Sequence, residues 1–558
     1  MTALGWIALS LAGLAILVLF AGRAHLLLHL LQLEHYEFKR LRVWVRRRGE
    51  RFNVLDVCLS AGIGCLIVAA FTLNLPGAAT AIGAIGLAAA IARAQAVVRR
   101  PQVKPLKFTA RASRLFATSL ALAAIAIAGA LIVGGLTQPR LGGLAMAVAG
   151  FLLAVFAPEF LGIANWLLRP IQRVDNARFE HKARRRLREI DPMVIGITGS
   201  YGKTTTKACV AEIASLIGPA LPTPASYNSY LGVIRAINEN LRPSHRSFIV
   251  EMGAYRRGDI AELCRLVEPR IGILTSIGLA HLERFGSLDE TTRAKGELAE
   301  ALPSDGVFIT RADQPRCLEA AERASCPVRL FAGEQHPDAL AWADNIRLHR
   351  GRTRFDLCLR EAAGITRQPV SARLLGQHNV ANLVAAAVVG LGLGLAPDQI
   401  ARALGRVSPP EHRLAPIVNR AAGIVVIDDA YNANPSGAQA ALEVLAAHPG
   451  HRRILVTPGM VELGDQQDAE NERFGAAAAG ICDLIILVGE EQTEPIRRGL
   501  ESAGFSPDSL CVVADASAAG RLLAEKSRSG DVILFENDLP DLYQGRARRQ
   551  HGTAIAAA

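Results

Sequence analysis

The sequence predicts an α-helical membrane region followed by two α/β domains, a central phosphate-loop domain and a C-terminal Rossmann-like domain, on three observations. Long apolar stretches crowd into the first third of the 558 residues, as membrane spans do and a uniformly apolar soluble chain does not. A short apolar strand, Met193 to Thr198, runs into a glycine loop and then a helical stretch. Beyond residue 420, apolar strands alternate with helical segments, the pattern of a parallel α/β sheet. The chain is divided accordingly into residues 1–178, 179–410 and 411–558.

The apolar stretches lie at Leu4 to Phe20, Val57 to Leu73, Ala78 to Ala92, Phe116 to Gly135 and Leu144 to Ile163. A crossing needs about 20 residues, so Ala78 to Ala92 is short. Lys39, Arg40, Arg42, Arg46, Arg47 and Arg48 follow the first stretch. Arg99, Arg100, Lys104, Lys107, Arg111 and Arg114 follow the third, and the loops near Asn74 and Gln138 are almost uncharged. Because basic loops stay in the cytoplasm, this gives five spans in the inner (cytoplasmic) membrane, with the N-terminus outside and everything after Arg169 in the cytoplasm.

The first stretch lacks the basic n-region of a cleaved signal. Leu31 to Trp44 mixes aromatic and basic residues as an interfacial helix does. Glu159, next to Pro158, sits either in headgroup water or against a substrate. No charge pair is visible within the spans.

Charge divides like hydropathy. Residues 1–190 carry 24 Lys or Arg against 8 Asp or Glu, a balance of +16, so the chain's total of +11 leaves −5 for the rest. The basicity therefore faces a lipid bilayer, and the soluble part lacks the basic footprint of a nucleic-acid binder. Nine scattered cysteines with no Cys-x-x-Cys pair read as reduced thiols of a cytosolic part.

Strand, loop and helix form a phosphate cradle at Gly199-Ser200-Tyr201-Gly202-Lys203-Thr204-Thr205. Backbone N–H groups and the helix dipole face the anion, and Lys203 adds a mobile positive charge. The Thr204 hydroxyl is placed to ligate magnesium. Two more strands end at Glu251 and near His281. Strand ends of a parallel sheet meet at its carboxyl edge, which makes Glu251 and His281 candidates for a divalent-ion site.

Five segments in order, Thr198 to Thr206, Glu251 to Gly253, His281 to Ser287, Ala294 to Glu297 and Gly376 to Asn382, resemble the successive signatures of the Mur ligases. Asp428 to Pro435 and Gly459 to Gly464 resemble one branch of that family, the D-alanyl-D-alanine-adding enzymes. The likeness covers about residues 193–535.

The resemblance implies ATP-dependent amide formation, with ATP and Mg2+ bound. A carboxylate attacks the γ-phosphate, and an amine from an amino acid or peptide then attacks the acyl phosphate. It implies that Lys203 binds phosphate and that Thr204 and Glu251 hold one ion. His281 and Lys295, the latter carbamylated, would help hold a second. An uncarbamylated surface lysine paired with Glu297 or Glu300 is the other reading of Lys295.

Asn228 and Ser229 would lie near the γ-phosphate and substrate, and Asn379 and Asn382 near adenine, a helix cap being the alternative at Asn379. Arg413 and Asp429 would reach the nucleotide from a C-terminal domain that closes on it. Tyr431, Asn432 and Asn434 are either substrate contacts or turn residues.

Two departures bear on the substrate. Membrane stretches stand where family members that act on soluble precursors carry a domain for a uridine-diphosphate sugar. Phe535 to Asp541 brings three carboxylates where the resemblance implies a Lys-Gly-Ser-like turn; it is either a site for an amine or cation, or an exposed acidic loop. The expected function is amide ligation of an envelope precursor, lipid-linked or membrane-delivered. A ligase for another polymer such as a polyglutamate-like chain, a membrane transport ATPase and a scaffold without catalysis are the alternatives.

Overall fold

The computed structural model describes residues 3–34, 36–47, 54–99, 105–225, 227–280, 282–349, 351–362, 364–430, 433–448, 452–461 and 463–537. The chain forms two compact units, Met1–Asp175 and Asn176–Ala558.

The first unit is helical. Among its described residues, Ala3–Leu33, Val54–Thr72, Pro76–Val98 and Ala110–Val133 are long and apolar enough to cross a membrane. The fifth apolar stretch is broken: Arg140–Val155 and Ala157–Leu167 meet at a bend of 75°, and they make a fifth span only if the bent pair counts as one. Pro158, in the first turn of the second piece, explains the break, since it has no N–H to donate and its ring crowds the carbonyl four residues back.

Small residues let these helices touch. A Cβ on Gly64 would lie 2.6 Å from the Ala147 Cα, so Val54–Thr72 and Pro139–Val155 pack backbone to backbone, as apolar surroundings favour. Contrary to expectation, this interior holds charge. Asp56 is buried between Arg93, whose Nε lies 2.8 Å from Oδ1, and Arg23 at 3.6 Å. Each comes from a different helix, so only packing brings the three together. The interfacial helix expected over Leu31 to Trp44 is two elements. The first helix runs on to Leu33, Tyr36 takes a left-handed φ of 64°, and a new helix spans Phe38–Arg47.

The second unit is built on two sheets. In the first, β1 (Met193–Thr198), β2 (Ala220–Pro222), β3 (Ser247–Glu251), β4 (Ile271–Leu274), β5 (Val307–Arg311), β6 (Val328–Phe331), β7 (Ala341–His349), β8 (Arg352–Glu361) and β9 (Gly364–Ala372) lie in the order β2-β3-β1-β4-β5-β6-β7-β8-β9. Neighbours are parallel up to β7, and β7 to β9 form an antiparallel meander.

Side chains of β1 alternate between two cores. Ile195 and Ile197 pack with Val210, Ile213 and Val384, while Val194 packs with Phe248, Ile260 and Leu298. Burial on both faces is why these strands read as continuous apolar runs.

The second sheet comprises β10 (Ala415–Asn419), β11 (Ile424–Asp429), β12 (Arg452–Thr457), β13 (Leu484–Val488), β14 (Leu510–Val513) and β15 (Asp531–Glu536), in the order β10-β11-β15-β12-β13-β14. It is parallel except for the edge strand β10. The strands β2, β5 to β9 and β10 were not expected from the sequence. What positions the site is that β1, β3 and β4 end together, and that β11 and β15 end side by side with Asp429 opposite Glu536.

Candidate active site

The carboxyl ends of both sheets line one cavity of about 420 Å³. Its floor is the turn from β1 into the helix Lys203–Ala214. Gly202 has a left-handed φ of 78°, and a Cβ there would come within 2.4 Å of the Asn382 Oδ1, so only glycine fits. The loop is tied to the end of β4: Ser200 N donates to the Ser276 carbonyl at 2.8 Å and Tyr201 N to the Ser276 Oγ at 3.1 Å. Burial raises the Tyr201 phenol to about 12, so it stays protonated at neutral pH. Thr205 is buried beneath the loop and lines the cavity.

Lys203 donates to the carbonyls of Gly199 (2.7 Å) and Ser200 (3.2 Å). Burial lowers its ammonium to about 8, Glu251 acting against this and Arg413 with it. Lys295, from the helix Leu288–Ala301, donates to the same Gly199 carbonyl at 3.1 Å. It is 2% exposed, and burial together with the Lys203 charge pushes its ammonium well below the ordinary range.

The surface-lysine reading of Lys295 is therefore overturned. Glu297 is occupied elsewhere: its carboxylate accepts from Gly258 N (2.6 Å) and Ala261 N (3.0 Å), capping the helix Asp259–Val267. Glu300 pairs with Arg323.

Glu251, at the end of β3, accepts from Thr204 Oγ1 (3.1 Å), Lys207 Nζ (2.9 Å) and Asn228 Nδ2 (3.0 Å). Burial favours its protonated form, but Lys207, Lys203 and the hydrogen bonds from Lys207 and Asn228 outweigh burial and keep it below the usual range. The hydroxyl and carboxylate of Thr204 and Glu251 touch, and such hard oxygen donors suit Mg2+ completed by phosphate oxygens and water. His281 lies outside the described residues. Lys207 was missed in the sequence, although a lysine one helical turn after Lys203 faces the same side.

The other candidates divide. Asn382 accepts from Thr206 Oγ1 and donates to Asn379 Oδ1, both at 3.0 Å, and Asn379 donates to the Leu375 carbonyl at 2.7 Å. Both line the cavity, but their amides already brace the helix Gln377–Gly392 against the phosphate loop. Asn434 borders the cavity and caps Pro435–Ala447. Ser229 caps Tyr230–Asn240 and accepts from Gly232 N. Tyr431 and Asn432 lie outside the described residues.

Arg413 stands in the connection between the sheets, flanked by left-handed His412 (φ 58°) and Leu414 (φ 47°). Asp428 holds His412 at 2.7 Å and Asp429 accepts from Leu414 N at 3.0 Å, so two neighbouring aspartates fix the arginine's place in the cavity wall. Burial, against Arg413 and the Leu414 N–H, raises Asp429 to about 6. His378, also missed, lines the cavity with its imidazole lowered to about 4 by burial and then by Arg413.

The exposed-loop reading of Phe535 to Asp541 fails at Glu536, which is 1% exposed and borders the cavity. Asp538 and Asp541 lie outside the described residues.

Residues 197–390 match the Mur ligase middle domain and residues 412–536 the Mur ligase glutamate ligase domain. The chain is 35% identical over 370 residues to the UDP-N-acetylmuramoyl-tripeptide--D-alanyl-D-alanine ligase of Mycobacterium leprae, covering 62% of this chain and 70% of the relative. To the Escherichia coli enzyme of the same name it is 34% identical over 306 residues, 54% of this chain and 66% of the relative. The solved MurF of Acinetobacter baumannii superimposes with a TM-score of 0.58 at 27% identity, covering 68% of this chain and 79% of that one. The chain belongs to the Mur ligase family and is an ATP- and Mg2+-dependent ligase.

Proposed function

We propose that the chain joins an envelope-precursor carboxylate to an amine through an acyl phosphate, at the cytoplasmic face of the inner membrane. The relatives' names suggest a muramoyl peptide as acceptor and D-alanyl-D-alanine as amine. In this reading residues 1–178 anchor the chain, residues 179–410 bind ATP, and residues 411–558 close over the nucleotide and deliver the amine. The helices long and apolar enough to span a bilayer support the anchoring, and with it a membrane-delivered or lipid-linked acceptor.

The observation that carries the reading is Lys203 held on the phosphate-loop carbonyls, with Arg413 lining the same cavity and the buried Lys295 reaching the same Gly199 carbonyl. Bringing a carboxylate against a phosphate needs concentrated, preorganised positive charge, and a dry site makes each charge count for more than in water. Lys203 neutralises the phosphate as the carboxylate oxygen attacks, Arg413 adds its charge from the same cavity lining, and Glu251 keeps Thr204 and Lys207 oriented. Mg2+ held by Thr204 and Glu251, with His281 and a carbamylated Lys295 as further ligands, would supply additional charge to the phosphate oxygens. Tyr431, Asn432, Asn434, Asn228 and Ser229 surround or support the substrate end.

The test uses the full-length protein in detergent with ATP, Mg2+ and a panel of soluble and lipid-linked muramoyl peptides and amines, with products read by mass. An amide formed with stoichiometric ADP and phosphate, and lost in Lys203→Ala, is the expected result. Phosphate release with no amide across the panel sinks the reading.

A further inference from the structure

The cavity is divided by charge. Lys203 stands on the phosphate loop, Lys295 reaches that loop from its helix, and Arg413 lines the cavity with them. Two acids, Asp429 and Glu536, line it from adjacent parallel strands in direct register. Parallel neighbours lie about 4.8 Å apart with side chains on the same face, so the pair is built by the sheet itself.

Glu536 is buried, it lines the cavity, and apart from a hydrogen bond shared with Asp429 its carboxylate oxygens have no donor. A buried acid so short of donors is costly, and the protein fixes it there. Asn537, at a left-handed φ of 71°, donates from Nδ2 to the Gly459 carbonyl, accepts from Ala433 N at 3.1 Å, and donates from its own N–H to the Asp429 carbonyl at 3.2 Å. Burial, and after it the Asp429 charge, lifts the Glu536 carboxyl well above the ordinary range. Arg413 opposes this and does not cancel it: one guanidinium faces two acids.

We propose that Glu536, with Asp429 beside it, is the receptor for the ammonium group of the incoming amine and the acceptor of its proton. An ammonium brings the donors that Glu536 lacks. A divalent ion is a poorer fit, because it takes six or more oxygen ligands and no group of three or more acidic, His or Cys side chains suited to a metal occurs among the described residues. The inference rests on the amide-ligase reading and names the substrate class of its second half.

In that step the charge of the bound ammonium first displaces the Glu536 proton to solvent, and the ammonium then gives one proton to the carboxylate so formed. The freed lone pair forms the C–N bond to the acyl carbon, and the C–O bond to phosphate breaks with its electron pair leaving on phosphate. The second nitrogen proton leaves with the phosphate.

The test compares wild type, Glu536→Gln and Glu536→Asp in the full chain. Hydroxylamine, largely uncharged at neutral pH, captures the acyl phosphate as a hydroxamate without needing an ammonium receptor. Glu536→Gln is expected to raise KM for ammonium-bearing amines roughly 10- to 100-fold, as loss of a charged hydrogen bond does, and to lower kcat. Hydroxamate yield and KM for ATP should move by no more than about threefold, and Glu536→Asp should recover part of the loss.

An unchanged amine KM in Glu536→Gln overturns the inference. So does equal loss of hydroxamate and amide in both variants, which would mark Glu536 as a counter-ion that holds Arg413. Calorimetry on the ATP-loaded wild type with methylammonium, D-alanine and D-alanyl-D-alanine gives an independent reading: no saturable binding by any of them also overturns it. Wild type that yields neither hydroxamate nor amide while binding these amines fails the ligase reading and leaves the receptor standing.

Discussion

Two buried glutamates end two strands of the second unit, and they differ in everything except position. Glu251 closes β3 at 2% exposure and accepts from a hydroxyl, an ammonium and an amide. Glu536 closes β15 at 1% exposure and has no donor besides the hydrogen bond it shares with Asp429. Neighbouring charges hold the first below the usual carboxylate range, and burial and a second acid hold the second above it. Strand ends bring acids to a sheet's carboxyl edge, and the surroundings then decide their work: in the proposed mechanism Glu251 serves a cation that comes with phosphate, and Glu536 one that comes with the amine.

The largest expected effect falls on the cationic side. Lys203→Ala should lower the rate of phosphate release on the order of 10³-fold, the upper range for one preorganised charge donor, as measured by steady-state kinetics. Glu251→Gln should be next, with a loss on the order of 10²-fold and a raised Mg2+ requirement. It also strands buried Lys207, so thermal melting in detergent should show destabilisation of about 3 kcal/mol. A melting temperature equal to wild type would mean that the Glu251 cluster carries no structural weight.

The smallest effect is one of pH and belongs to Glu536. Its folded-state proton affinity is raised, so its contribution to stability is complete below the unfolded pKa near 4.5 and is lost as pH rises through the folded value. Glu536→Gln should therefore melt like wild type in acid and increasingly above it as pH climbs. A difference in melting temperature that stays flat with pH would break the contrast between the two acids.

The membrane unit offers a third buried acid, satisfied differently again. Asp56→Asn would leave Arg23 and Arg93 against each other in an apolar interior, at a cost of about 3–5 kcal/mol, read as loss of folded protein in detergent.

Much of this was legible in the sequence where function is local. The phosphate loop, Glu251 and the alternation beyond residue 420 are written in runs of fewer than ten residues, as a buried strand followed by glycine or acid. What was not legible depends on pairing across long separations. The acid at 536 was visible, but its burial follows from β15 lying beside β11, and Asp56 acquires its arginines only when three helices pack.

Lys207 and His378 were missed because their neighbours are spatial. The meander β7 to β9 did leave a signal, the alternation Arg354-Phe355-Asp356-Leu357, in which Phe355 and Leu357 are buried. Asn379 and Asn382 border the cavity and also brace the helix that carries them, a second role that depends on partners distant in sequence.

The central claim is that the carboxylate is activated as an acyl phosphate, and oxygen tracing tests it most directly. With an acceptor carboxylate labelled with heavy oxygen and whichever amine turns over, the account predicts one labelled oxygen in the phosphate released per amide formed. Amide formed alongside unlabelled phosphate would contradict it.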